Sequence, residues 1–233
     1  MAESRKPEGK WGGLGRASRM FLKENPVHLL PEKAIWLPDE SWLVLSDLHL
    51  GKVNHFRRAG IPVPVGANRA NTERLLQLLM EFHPARVVFL GDLFHSHYNS
   101  EWEVLGQVTG AFPEVTFTLV TGNHDILSAH QYDRHRIEVV PELRLGSSLI
   151  FRHEPSPADD AGAYQVCGHL HPAVTVSGKG MPSETFPCFW IGNKIAVLPS
   201  FGVFTGSKRI VPRRGDRVFA VVAGELVELS AEV

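Results

Sequence analysis

The sequence predicts an α/β fold in which two β-sheets pack face to face with helices outside. Two observations point there. Up to about residue 120, short continuous apolar runs alternate with helical or polar stretches. In the last third, from about residue 188, the runs come closer together and read as antiparallel β. A helix-flanked sheet and a mostly antiparallel sheet can bury their apolar faces against each other, which accommodates both halves in one fold. The 233 residues, 43% of them apolar, suffice for one sizeable domain.

Residues 1–25 are rich in Gly, Ser, Lys and Arg and read as a flexible basic tail, leaving 26–233 as a single domain. Trp42-Leu43-Val44-Leu45 is a continuous apolar run, expected to be a buried strand. From Asn71 to Phe82, Leu75, Leu76, Leu78, Leu79 and Phe82 form one helical stripe. Asn68 or Asn71 is expected to cap that helix, and Pro84 follows its end. Val87 to Leu90 is the next strand, so the unit should be two parallel strands with a crossover helix. Further strands are expected at Val115 to Val120, Ser148 to Phe151 and Tyr164 to Cys167. Cys188 to Ile191, Ile195 to Leu198, Val218 to Val222 and Leu226 to Leu229 complete the set. Gly192-Asn193 and Ala223-Gly224 are the expected hairpin turns.

The formal net charge is −1, which gives no global attraction to nucleic acid or anionic membrane. No run of about 18 apolar residues is present to span a bilayer. The first residues lack the apolar stretch of a secretory signal. Two cysteines are too few for a disulfide framework. A cytoplasmic setting is therefore expected.

The chemistry lies just after the apolar runs. Asp47 and His49 follow the first, and Asp92, His95 and His97 follow the second. Asn123, His124 and Asp125 follow the third, His153 follows Phe151, and His169 and His171 follow Cys167. Ligands of open α/β sheets bind beyond the carboxyl ends of the strands, so these groups should meet at one edge. Carboxylate, imidazole and carboxamide without paired thiolates suit Mn²⁺, Fe²⁺ or Zn²⁺. The seven candidate metal ligands Asp47, His49, Asp92, Asn123, His153, His169 and His171 exceed the needs of one tetrahedral ion. They can serve two ions if a carboxylate bridges, and such pairs stabilise both the attacking and the leaving oxygen of phosphoryl transfer. No G-x-S-x-G elbow, P-loop or H-E-x-x-H motif competes.

The ordered set Asp47-Leu48-His49, Gly91-Asp92, Gly122-Asn123-His124-Asp125, His153 and Gly168-His169-Leu170-His171 resembles the calcineurin-like metallophosphoesterases. The resemblance implies a four-layered αββα sandwich of two mixed β-sheets and a cofactor of two divalent metal ions, with Mn²⁺ preferred and Fe²⁺ or Zn²⁺ as alternatives. It implies that Asp47, His49, Asp92 and His171 hold one ion, that Asp92, Asn123, His153 and His169 hold the other, and that His124 faces the scissile phosphate. Many members carry an Asp three residues after the bridging one. His95 stands there, as in SbcD-like DNA nucleases, and becomes a second catalytic candidate. Gly51-Lys52, Phe56 to Pro64, His153-Glu154-Pro155, Phe186 to Trp190 and Leu198 to Gly202 are similar to the PdeM branch of ligase-associated DNA-damage-response phosphoesterases.

That branch implies a phosphodiesterase or endonuclease working in DNA repair, linked to a DNA ligase and a helicase. Arg57 and Arg58 are candidate substrate-binding cations beside the metal centre. The alternatives are a phosphomonoesterase or nucleotide hydrolase with a small substrate, and a non-catalytic scaffold. The full ligand set argues against the scaffold.

Overall fold

The computed structural model describes residues 17–52, 67–94, 100–157, 162–177, 182–203 and 205–229. Its first sheet has seven strands in sequence order: β1 (Ser18–Leu22), β2 (Asn25–Leu30), β3 (Ala34–Leu37), β4 (Trp42–Leu45), β5 (Arg86–Leu90), β6 (Thr116–Val120) and β7 (Ile137–Val140). Strands β1 to β4 form an antiparallel meander, and β4 to β7 run parallel. The second sheet contains β8 (Leu143–Leu145), β9 (Leu149–Arg152), β10 (Tyr164–Cys167), β11 (Pro172–Val176), β12 (Glu184–Ile191), β13 (Ile195–Val197), β14 (Lys208–Arg209), β15 (Arg217–Val222) and β16 (Glu225–Leu229). Within it β10 is parallel to both β9 and β13, while β12 is antiparallel to each of its partners.

The apolar runs are continuous because β4, β5 and β6 are buried on both faces. Leu43, Leu45, Val87, Phe89, Phe117 and Leu119 face the helices α1 (Ala67–Phe82), α2 (Ser100–Ala111) and α3 (Ala129–Arg134). Val44, Val88, Leu90 and Val120 turn the other way, onto Leu149, Phe151, Val166, Phe189 and Phe219 of the second sheet. This shared core binds the two mixed sheets into the predicted α/β sandwich. A smaller cluster of Val174, Cys188, Val218 and Ala220 lies on the far face of the second sheet. Among the described residues no helix contributes to it.

Three expectations need correction. The tail does not extend to residue 25, because Ser18–Leu22 pairs with Asn25–Leu30 and Leu22 is buried in the core between the sheets. Helix α1 begins at Ala67, so neither Asn68 nor Asn71 is its cap. Asn71 is instead buried inside the helix, where its Oδ1 accepts from Val203 N and Arg74 Nη2, each at 3.2 Å. The strand expected to start at Cys188 starts at Glu184, so Pro187 lies within β12, where the strand passes from β11 to β15 and β13. The Ala223-Gly224 turn is as expected: both residues have positive φ (50° and 81°) and join β15 to β16 as a two-residue hairpin loop. Among the described residues no helix is long and apolar enough to cross a membrane.

Candidate metal centre

Asp47 and His49 leave the end of β4, Asp92 that of β5, and Asn123 and His124 that of β6. His153 follows β9, and His169 and His171 lie between β10 and β11. The strand ends of both sheets meet on one edge, and loop-to-loop backbone bonds fix them. Asp47 N donates to Gly91 O (3.2 Å) and His49 N to Asp92 O (2.9 Å). Phe201 N donates to Ser46 O (2.8 Å) and Gly202 N to Asp47 O (3.1 Å).

The backbone carries strain where the ligands sit. Asp47, His49, Asp92, His169 and His171 have φ of 55°, 50°, 48°, 63° and 46°. Side-chain-bearing residues seldom occupy this left-handed region, and strain of about 1–3 kcal/mol per residue persists only where the surroundings impose it. Here they do: His169 N donates to Asp47 Oδ2 at 3.0 Å, and His124 N to Asp92 Oδ1 at 3.1 Å. Gly91 has φ +72°, and a methyl group there would overlap the His153 ring. A methyl on Gly168 would overlap the Ser46 hydroxyl, which itself donates to Asp47 Oδ2.

Two donor clusters result. Asp47, His49 and His171 form one and Asp92, His153 and His169 the other, with the donor atoms of each cluster within 4.8 Å of one another. In the first, His171 Nε2 lies 3.1 Å from Asp47 Oδ1 and 3.4 Å from His49 Nε2. In the second, His153 Nε2 lies 3.4 Å from Asp92 Oδ1, 3.3 Å from Asn123 Oδ1 and 3.0 Å from His169 Nδ1. Asp92 Oδ2 is 3.8 Å from His49 Nε2, so this carboxylate borders both clusters. The seven predicted ligands therefore converge.

The donor set fits a pair of cations. Asp47 Oδ1 is buried without a hydrogen-bond partner among the described residues, although an imidazole nitrogen stands 3.1 Å away. His153 Nδ1 must donate to Leu90 O at 2.8 Å, which leaves the Nε2 lone pair facing Asp92, Asn123 and His169. His171 Nδ1 similarly donates to Gly206 O at 2.9 Å. Fixing one ring nitrogen on a carbonyl so that the other presents its lone pair is the usual support for a metal-ligating histidine. Burial pushes the Asp47 pKa up, but the neighbouring His171 and His153 imidazoles and the Ser46 hydroxyl hold it below its usual value.

The His124 ring lies 5.7 Å from that of His49, at the rim of the first cluster. His95, Arg57 and Arg58 fall outside the described residues. Lys52 does not: it is half-buried and feels the charges of Asp92 and Asp47. Phe94 and Phe189 are buried in the cores, and Trp42 and Trp190 pack partly buried against them.

Sequence reasoning left Asp125 without a role. Its Oδ1 accepts from Leu93 N (2.9 Å) and Phe94 N (3.3 Å), and its Oδ2 from Gly122 N (2.8 Å). Asp125 thus ties the Asn123 loop to the Asp92 loop, and burial pushes its pKa up to about 6 despite those bonds. Glu154, part of the His153-Glu154-Pro155 motif, lies 3.6 Å from His169 Nε2 and is a second neighbour to which sequence reasoning gave no role.

A family model described as calcineurin-like phosphoesterase matches residues 42–188. The chain belongs to this family. The calcineurin-like phosphoesterase is accordingly a metal-dependent hydrolase of phosphate esters. The protein is similar to the Pseudomonas putida nuclease MPE, with 26% identity and a TM-score of 0.77, over 91% of this chain and 100% of that one. It also matches Yfce, a phosphoesterase from E. coli, with 16% identity and a TM-score of 0.43, over 81% of this chain and 97% of that one. No curated protein matches in sequence.

Proposed function

We propose that this phosphoesterase hydrolyses phosphodiester bonds, with DNA as its substrate class and two divalent ions at the strand-end edge. One observation carries the reading. Asp92 stands between two donor clusters, within 3.8 Å of His49 on one side and 3.4 Å of His153 on the other. Asp47, His49, Asp92 and His171 would hold one ion, and Asp92, Asn123, His153 and His169 the other. Bound there, two such ions polarise phosphoryl oxygens and make water nucleophilic at neutral pH.

The chain's own groups do the rest. Asp92 Oδ1 takes the His124 N–H and so fixes that loop against the centre. The His124 imidazole can then meet charge developing on the phosphate or protonate the leaving oxygen. His95 is the second candidate for that contact, and Arg57 and Arg58 are candidate cations for neighbouring phosphates. Preference for DNA draws support from the similarity to the P. putida nuclease along 91% of the chain. The PdeM resemblance adds DNA repair beside a ligase and a helicase, the family resemblance favours Mn²⁺ as the native metal, and the sparse cysteines favour a cytoplasmic setting.

The test is a substrate panel on protein loaded with Mn²⁺, Fe²⁺ or Zn²⁺. Bis-p-nitrophenyl phosphate should turn over faster than p-nitrophenyl phosphate, and single-stranded DNA should be cut on a gel. Preference for the monoester with DNA left intact refutes the phosphodiesterase reading in favour of a small-substrate phosphatase.

A further inference from the structure

A cavity of about 390 Å³ opens on the His171 side of the metal centre. That volume lies within the roughly 300–1,000 Å³ of small-molecule sites. Lys33, Thr185, Ser200, Thr205 and Ser207 line it together with His171. Pro172, Pro187 and Val203 add apolar wall, and among the described lining residues there is no carboxylate.

Lys33 is the unusual member. It sits at φ 66° in the turn between β2 and β3, with its N–H bonded to Leu30 O at 2.9 Å. Among the described residues its ammonium has neither an ion-pair partner nor a hydrogen-bond acceptor. Burial and the neighbouring Arg74 guanidinium push its pKa down to about 8. Arg74 is itself held in place by Phe201 O, by Asn71 Oδ1 and by its stacking 4.1 Å over the Phe201 ring. Two cations are thus crowded at one corner of a cavity that holds no carboxylate among its described lining residues, an arrangement that favours an anion there. The Ser207 hydroxyl could donate to such an anion.

We propose that this cavity binds a second phosphate of the substrate, the one flanking the scissile diester in an oligonucleotide, with Lys33 as its cation. The inference rests on the phosphodiesterase reading and deepens it. A polynucleotide presents another phosphate one nucleotide from the bond being cut, and the cavity begins at His171, a member of the first cluster. Its apolar wall suits the intervening sugar. A lone diester leaves the cavity without its anion.

The experiment has a binding arm and a turnover arm. Calorimetry on Mn²⁺-loaded protein compares thymidine 3′,5′-bisphosphate with thymidine 5′-monophosphate. Turnover compares TpT with pTpT and TpTp. One charge-assisted hydrogen bond corresponds to about tenfold or more in affinity. The bisphosphate should therefore bind at least that much more tightly, and one of the phosphorylated dinucleotides should have the higher kcat/KM. Lys33→Gln should abolish both preferences while leaving TpT turnover unchanged, and Lys33→Arg should keep most of each. A Lys33→Gln protein that still discriminates, or a wild type that never does, overturns the proposal. If no diester is cleaved at all, the phosphodiesterase reading falls, while the ratio of bisphosphate to monophosphate binding still decides the cavity.

Discussion

Replacing Gly91 by alanine tests whether the metal centre depends on backbone that only glycine can supply. At φ +72° a Cβ costs about 1–2 kcal/mol in left-handed geometry. The added methyl would also overlap the His153 ring, and forcing an extra methyl into a packed site costs a further 1–3 kcal/mol or so. Gly91→Ala should therefore destabilise the fold by about 2–5 kcal/mol. The functional loss should be disproportionate. The ring that must move donates to Leu90 O at 2.8 Å and aims Nε2 at Asp92 and Asn123. A displacement of about 1 Å at a reacting centre is worth roughly a hundredfold in rate. Urea denaturation gives the first quantity, and metal analysis with bis-p-nitrophenyl phosphate turnover gives the second. A variant that loses stability but keeps two metal equivalents and wild-type kcat would refute the reasoning.

Three further outcomes follow from the same geometry. Asp92→Asn removes the charge bordering both clusters, so metal content should fall below two per chain and turnover by more than about 100-fold, the loss typical of merely supporting partners. His124→Ala should keep its metal, because the Asp92 bond uses the backbone N–H, while kcat drops by about 10²–10⁴, the usual contribution of a positioned acid–base group; full activity would remove His124 from the mechanism. Cys188 is fully buried and its thiol is pushed up to about 12, so iodoacetamide at pH 8 should label it only after unfolding, as read by mass spectrometry.

The site was legible because burial on both faces makes β4, β5 and β6 continuous apolar runs, and the residue types change abruptly where each strand ends. The meander β1 to β3 was not. Its first strand lies in a segment rich in Gly, Ser and basic residues, and its solvent-facing positions hide the pairing with β2. Helix α2 contains Gly106 and Gly110, poor helix formers, and is held by Trp102, Leu105 and Val108 packing into the helix-side core. Helix α3 has six residues, too short for a periodicity to register. The roles of Asp125 and Lys33 depend on partners or walls supplied by distant loops, which a linear pattern cannot reveal.

The same convergence predicts that the protein should be most stable with its cations bound. His153 Nε2 and His169 Nδ1 lie 3.0 Å apart, His49 Nε2 and His171 Nε2 lie 3.4 Å apart, and the Asp47 and Asp92 carboxylates are almost fully buried beside them. Lone pairs and negative charges gathered this closely oppose folding, and five left-handed residues add strain. A ligand that binds only the folded state adds about 2.7 kcal/mol at 100 times its Kd. For a chain of this length each kcal/mol raises Tm by about 2–4 °C. Mn²⁺ in that excess should therefore raise Tm by about 5–11 °C per site over chelator-treated protein. Asp92→Asn should lose most of that increment, since it removes the repulsion and the binding charge together. If scanning calorimetry finds the chelated and Mn²⁺-loaded wild type melting together, the clustered donors are satisfied without cations and the metal assignment is wrong.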